Sequence, residues 1–390
     1  MMHRIRHRRL LTVLIAFAVV LAFSACAPKA RPPIGQLDTP EHHTYTGIKL
    51  LNQGKYTDAQ REFELALQLN AKFSSAHTGM GLVKAQQGDL KAGFEAMKSA
   101  KKYANTNEEK TALYAGLIRL HTMNAAREKK WLDDAKDAFD DAILVDPKAD
   151  APYFFMGKAY KQALEFAPAG QMFAKVLELK GEYAGPADAE WNLVQKIQRA
   201  MPGTITGKKI AIVERITRAD AAALFMEELK IDGLYGKRTL KSFDTSFKDP
   251  AKAKEAAAKG PKTAADIADH PLKADIEGLL AIGVRGLEPY PDGSFRPNEI
   301  VDRASFAMMV EDILIKATGD NALATKFIGN TSPFPDLRAD LAYFNAVMVV
   351  TSRGLMEVKD AGTGEFAPLN PVPGVDGLLV IRKMKEQLKF

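Results

Sequence analysis

The sequence predicts an all-α chain in two helical halves. Three observations carry that reading. From Tyr45 to about Met201, apolar and small residues recur at i, i+3, i+4 and i+7, the period of helices that bury one face. Within that stretch the pattern repeats: Gly47 and Gly81 stand 34 residues apart, as do Ala135 and Ala169. Beyond it, short helical stretches alternate with capping residues and tight turns such as Asp292-Gly293 and Thr217-Arg218-Ala219-Asp220.

The chain opens with a basic head, Arg4, Arg6, Arg8 and Arg9, followed by an apolar run from Leu10 to Leu21 and then Phe23-Ser24-Ala25-Cys26. These are the parts of a secretory signal, and the run is too short for a comfortable membrane span of about 20 residues. Cys26 is the sole cysteine of the chain. Its position after Ser24-Ala25 resembles a bacterial lipobox, with Phe23 departing from the usual Leu. The resemblance implies a signal peptide over residues 1–25, lipidation of Cys26, and attachment to a membrane through the N-terminal lipid. Two or more acyl chains suffice for stable attachment where one is marginal. Plain secretion or an uncleaved anchor is the alternative. Ala27 is not the Asp that retains many such lipoproteins at the inner membrane, so the resemblance implies an outer-membrane location facing the periplasm. Residues 26–40, with Pro28, Pro32, Pro33, Gly35 and Pro40 and little apolar periodicity, read as a disordered or extended leash.

Residues 41–201 read as about four helix pairs and a capping helix. One pass runs Gly54-Lys55-Tyr56, Ala59, Phe63, Ala66, and a second Gly88-Asp89-Leu90, Gly93, Met97, Ala100. A third runs Lys130-Trp131-Leu132, Ala135, Phe139, Ala142, and a fourth has Gly157, Tyr160, Ala169, Phe173, Val176. Eight surplus residues between the second and third passes are expected near Asn105-Thr106-Asn107. The period, with small residues where helices approach and an aromatic filling the space between them, resembles the tetratricopeptide repeat. One repeat cannot bury its own apolar face, so an array of at least three is needed. The resemblance implies a solenoid with a groove for a protein client, or a spacer arm. His42, His43, His77 and His121 are scattered and read as solvated or satisfied, not catalytic.

Residues 204–390 carry the sharper signature. Ala281-Ile282-Gly283-Val284-Arg285-Gly286-Leu287 leads to Tyr290-Pro291-Asp292-Gly293-Ser294-Phe295-Arg296-Pro297, then to Asp302-Arg303-Ala304-Ser305-Phe306. This resembles one complete S-layer homology module over about residues 265–315. A partial first module ends in Thr217-Arg218-Ala219-Asp220, with its front half replaced by Thr204 to Glu214. A degenerate third spans about 334–388, with Thr351 where Gly283 stands and Pro373-Gly374 where Asp302-Arg303 stands. Thr217 with Asp220 and Asp302 alone suit helix caps. The resemblance implies a pseudo-threefold helical domain with short loops or strands. It further implies that Arg218 and Arg303 grip a carboxylate-bearing cell-wall glycan or peptidoglycan, with Gly283 and Gly286 allowing close approach. A planar guanidinium suits a carboxylate. The competing role for both arginines is to brace the start of their helices. Ser242 to Lys262 reads as an exposed connector.

Composition narrows the function. The net charge is +6, but four arginines and no acid precede Cys26. From Cys26 onward the charge is nearly balanced, which removes a charge-based case for nucleic acid. With one cysteine, no intramolecular disulfide and no cysteine-based metal site can form. No Gly-x-Ser-x-Gly, P-loop or His-Glu-x-x-His is present. The expectation is a non-enzymatic envelope protein without cofactor or metal. The other reading is an assembly or scaffold factor for an outer-membrane, secretion or pilus machine.

Overall fold

The computed structural model describes residues 30–239 and 264–389. Cys26, the signal segment and the connector at 242–262 lie outside the described residues. The described residues are helical, in sixteen α-helices with no sheet, and the chain divides into two compact units at Glu190/Trp191.

The first unit is an array of helix pairs: α1 (Pro40–Asn52) with α2 (Tyr56–Leu69), α3 (Ser74–Gln86) with α4 (Leu90–Tyr103), α5 (Asn107–Met123) with α6 (Trp131–Val145), and α7 (Asp150–Gln162) with α8 (Phe166–Leu179). The first helices of successive pairs pack on one another, as do the two helices of each pair. Small residues set the spacing. The Phe63 ring, fully buried, sits so close to Gly47 and Gly79 that a Cβ there would come within 2.6 and 2.3 Å of it. Phe173 meets Gly157 in the same way at 2.6 Å.

Two expectations change here. The surplus residues are not at Asn105–Asn107. They lie in α5, 17 residues long against 13 for α1, and in the following turn over 124–130. Phe139, expected to fill a gap as Phe63 and Phe173 do, is only half-buried and lies edge-on to Tyr153 at 5.2 Å. In the 34-residue register the position of Gly47 and Gly81 falls on buried Ala115 in α5.

The leash is also not free over the described part. Arg31 makes a two-bond pair with Asp38, both 2.7 Å, and its amide donates to the Gln68 carbonyl at 2.8 Å. His43 bridges Asp38 at 2.9 Å and Glu62 at 2.7 Å. A charged network thus ties the segment to α1 and α2, where composition alone suggested an unattached spacer.

The second unit begins within α9 (Ala184–Ala200) and contains α10 (Ile205–Ala211), α11 (Arg218–Ala223), α12 (Ile231–Thr239), α13 (Lys273–Ile282), α14 (Arg303–Thr318), α15 (Phe344–Ser352) and α16 (Gly374–Leu388). Its centre has threefold character. Ile216 donates to the Val372 carbonyl at 2.9 Å, Val372 to Val301 at 3.1 Å, and Val301 back to Ile216 at 3.0 Å. This closed ring joins the three segments that feed α11, α14 and α16. Behind it, Phe225 and Phe306 stack at 5.8 Å in the core. A single π turn, Leu224–Glu228, extends α11. It carries buried Glu228 to the start of α10, where the carboxylate accepts from the Gly203 and Thr204 amides at 3.0 and 2.8 Å.

Candidate functional site

Each unit presents one candidate site. In the first unit, the initial helices of the pairs line a groove of about 850 Å³, continuous in lining residues with a further 690 Å³. The larger part is floored by Thr44, Ile48, Thr78, Leu82, Thr111 and Ala115. The adjoining part holds Arg119 and Lys158 among Asn52, Gln86, Gln162 and the rings of Phe154, Phe155 and Tyr183. Arg119 lies 4.6 Å from the Phe155 ring centre and donates to Asn52 Oδ1 at 3.3 Å. Burial pulls its pKa down, opposed by the nearby Tyr183 oxygen. Partial desolvation also pulls down Lys158, whose ammonium lies 5.8 Å from Phe154. Tyr183 stacks on Phe154 at 4.9 Å, and burial raises its phenol pKa. Cations held against aromatic faces with their solvent removed favour an anionic partner.

These groove residues went unassigned in the sequence, although a signal existed. Thr44/Thr78, Ile48/Leu82 and Asn52/Gln86 are each 34 residues apart, so one face repeats in register with the buried glycines.

In the second unit the structure turns both expected glycan-binding arginines inward, while Gly283 and Gly286 stay partly exposed. Thr217 caps α11, accepting from the Asp220 amide at 3.2 Å while its own amide donates to the Asp220 carboxylate at 2.8 Å. That cap aims buried Arg218 away from solvent. Its Nε donates to Phe295 O at 2.8 Å, Nη1 to Gly286 O at 2.6 Å and Nη2 to Glu288 O at 2.9 Å. Asp302 caps α14 through the Ser305 amide at 2.7 Å. Arg303, also buried, repeats the arrangement one module on, with Nε to Phe366 O at 2.8 Å and Nη2 to Glu357 O at 2.5 Å. Each guanidinium stacks on the phenylalanine whose carbonyl it holds, at 4.7 Å for Phe295 and 4.5 Å for Phe366. Burial lowers the pKa of both. Each arginine therefore clasps the loop of the neighbouring module, and the bracing role is the one its hydrogen bonds perform.

The loops are prepared for that clasp by a carboxylate on the far side. Asp266 accepts from the Phe295 and Arg296 amides at 2.8 and 2.7 Å, and Asp336 from Phe366 and Ala367 at 3.0 and 2.6 Å. Arg296 and Ala367 are left with φ of 55° and 54°. Gly283 and Gly286 have φ of 75° and 87° and serve the same loop. Their carbonyls are taken by Lys316 and Arg218.

The third module lacks an arginine for a steric reason. At Gly374 a Cβ would stand 1.7 Å from the Ile210 carbonyl oxygen. The front half of the first module is helix α10 instead of a turn-and-loop, so nothing remains for a third arginine to clasp and there is no room for one.

Between the second and third modules lies a cleft of about 150 Å³ lined by Arg303 with Lys196, Lys359, Lys383, Glu357 and Asp376. Lys383 pairs with Glu357 at 2.8 Å and Lys196 with Asp376 at 3.0 Å. Arg303 and exposed Lys359 leave the cleft with a cationic excess. Of the five N–H groups a guanidinium carries, Arg303 commits fewer to the described residues than Arg218 does. Among the described residues, no group of three or more metal-ligating side chains is found.

The model of the S-layer homology domain matches residues 287–307, the clasped loop together with the start of α14. Human tetratricopeptide repeat protein 6 is 29% identical over 139 residues, which is 35% of this chain. The chain spans 24% of that protein's length. Among solved structures, a thermophilic tetratricopeptide protein of Thermus thermophilus is 17% identical, covering 56% of this chain and 98% of its own, with a TM-score of 0.31. A tetratricopeptide repeat protein of Parabacteroides merdae is 14% identical, covering 79% and 98%, with a TM-score of 0.27. The repeat array is of a kind that supports protein–protein interaction, and the S-layer homology segment implies envelope or surface association through cell-wall binding.

Proposed function

We propose that this chain is a non-enzymatic, lipid-anchored envelope protein that links a membrane to wall polymer and recruits a protein partner in its repeat groove. Its membrane end is Cys26, facing the periplasm from the outer membrane. Its wall end is the cleft between the second and third S-layer homology modules. The observation that supports the wall end is the cationic excess of that cleft: Arg303 and Lys359 stand beside two neutralised pairs. A carboxylate-bearing glycan or the peptide carboxylates of peptidoglycan match that charge. The reading needs no cofactor, metal or nucleic acid.

The test is sedimentation of the soluble chain with purified sacculi. Wild-type protein should pellet with sacculi, and Lys359→Glu, an exposed substitution, should pellet several-fold less at unchanged stability. Equal pelleting of the two would remove the cleft from the binding site. A second reading, an assembly factor for an outer-membrane, secretion or pilus machine, draws on the Arg119–Lys158 cluster in the groove. A chain that ignores sacculi but cross-links to an acidic protein segment through residues beside Arg119 would favour it.

A further inference from the structure

The segment from Arg31 to Asp38 is a turn with a fixed base and an apolar tip. Its ends are joined by the Arg31–Asp38 pair, and the Ile34 amide donates to Asp38 Oδ2 at 2.7 Å. The Asp38 amide closes the turn on the Gly35 carbonyl at 3.2 Å. The base is then held to the first helix pair through His43 and the Gln68 carbonyl. Yet the tip is open to solvent: Ile34 is 89% and Leu37 70% exposed, and Pro32 and Pro33 are exposed beside them. A flexible linker would not fix four apolar side chains outward with a charged clamp, because exposed apolar surface carries a cost unless something covers it.

The sequence indicates what lies near. Cys26 precedes Ile34 by eight residues, so the two are at most about 28 Å apart at roughly 3.5 Å per residue. With Cys26 acylated, as in the function proposed above, the chain meets a bilayer at that point. We propose that Pro32, Pro33, Ile34 and Leu37 form a membrane-docking tip that seats in the lipid interface and fixes the attitude of the first repeat to the bilayer. Interfacial apolar elements settle about 5–10 Å into the headgroup–acyl boundary, within reach of a two-proline, two-aliphatic tip. The clamp makes the contact directional: Asp38 joins the tip to His43 on α1, so the tip cannot swing as an independent lipid tether would. The inference rests on the membrane end of the function proposed above.

The test uses full-length protein carrying Ile34→Cys, purified from producing cells so that Cys26 is acylated. The new thiol is labelled with an environment-sensitive dye, and the protein is reconstituted on vesicles of phosphatidylethanolamine and phosphatidylglycerol. Leu144→Cys, at another exposed aliphatic position (83%), is the reference. The dye at 34 should shift to the blue, brighten several-fold and be quenched by lipids brominated in their acyl chains, while the dye at 144 stays water-like. Adding Asp38→Asn should return much of the signal at 34 to water-like values. Water-like emission at 34 on vesicle-bound protein would overturn the docking tip and leave the anchor standing. Shielding without vesicles that grows with protein concentration would assign the tip to a second copy and overturn the proposal. Protein that stays off the vesicles would refute the anchor, and the docking tip with it.

Discussion

Replacing Arg218 by Met separates bracing from ligand binding. The guanidinium makes three hydrogen bonds to backbone carbonyls, at 2.8, 2.6 and 2.9 Å. Bonds to a charged donor contribute about 1.5–3 kcal/mol each. Their sum overstates the loss, because the wild-type also carries the cost of burying the charge, whereas Met keeps the packing on Phe295. A net loss of about 3–5 kcal/mol is expected, with three carbonyls left unsatisfied. With an m-value of about 2 kcal/mol/M in urea, the midpoint of the second unit should fall by about 1.5–2.5 M. The chain has two tryptophans, Trp131 in the first unit and Trp191 in the second. A Trp131→Phe background therefore makes Trp191 fluorescence the reporter of the second unit alone. Arg303→Met, with two carbonyl bonds, should cost less, about 2–3 kcal/mol. An Arg218→Met unit that unfolds at the wild-type midpoint would refute the clasp. If such a stable variant also lost sacculus binding, the arginine would be a ligand contact instead.

Gly374→Ala should destabilise the second unit more than any surface substitution, since its Cβ would stand 1.7 Å from Ile210 O. Recovery of wild-type urea unfolding would show that α10 can move aside. Gly79→Ala should weaken the first unit by several kcal/mol, because the Cβ would come 2.3 Å from the Phe63 ring in a core without slack. Thermal unfolding followed by Trp131 checks this, and an unchanged midpoint would contradict it. His43 should titrate above its ordinary 6.5: burial lowers its pKa, but Glu62 and Asp38 outweigh that and raise it. With the folded pKa raised, the clamp's contribution is complete below the unfolded value and is lost as pH rises through the folded one. Asp38, held low by Arg31 first, then by the Ile34 amide and His43, contributes above its unfolded value and fails only in stronger acid. NMR titration should show a His43 midpoint that falls in Asp38→Asn, and a wild-type midpoint at or below 6.5 would contradict the clamp.

The helical class was legible because burial writes itself into spacing: Gly47, Gly81, Ala59 and Phe63 sit where a helical period of 3.6 and a repeat of 34 put them. The inserted residues were misplaced because a longer α5 and a longer turn conserve helical periodicity just as well as a longer loop before α5. Phe139 was misjudged because the burial of a ring depends on what the facing helices bring to it, here Tyr153 edge-on, and its own helical spacing does not record that. The module turns were legible through Asp292-Gly293 and Phe295, which need no distant partner. The destination of Arg218 was not, because its acceptors are backbone carbonyls at 286, 288 and 295, and a carbonyl leaves no mark in a sequence. The vacancy at Gly374 was visible as a departure from pattern, yet its cause lies at Ile210. The clamp at 31–43 was hidden for the same reason, since prolines suggested an open linker while Arg31, Asp38 and His43 closed it.

The central claim, one chain holding membrane and wall polymer together, is tested by bridging. Fluorescent vesicles bearing the acylated protein are mixed with sacculi and spun at a speed that pellets sacculi but not vesicles. Vesicle fluorescence should enter the pellet with the wild-type chain and fall several-fold with Lys359→Glu. Sacculi that pellet free of vesicles, with folded protein still on the vesicle surface, would contradict the account.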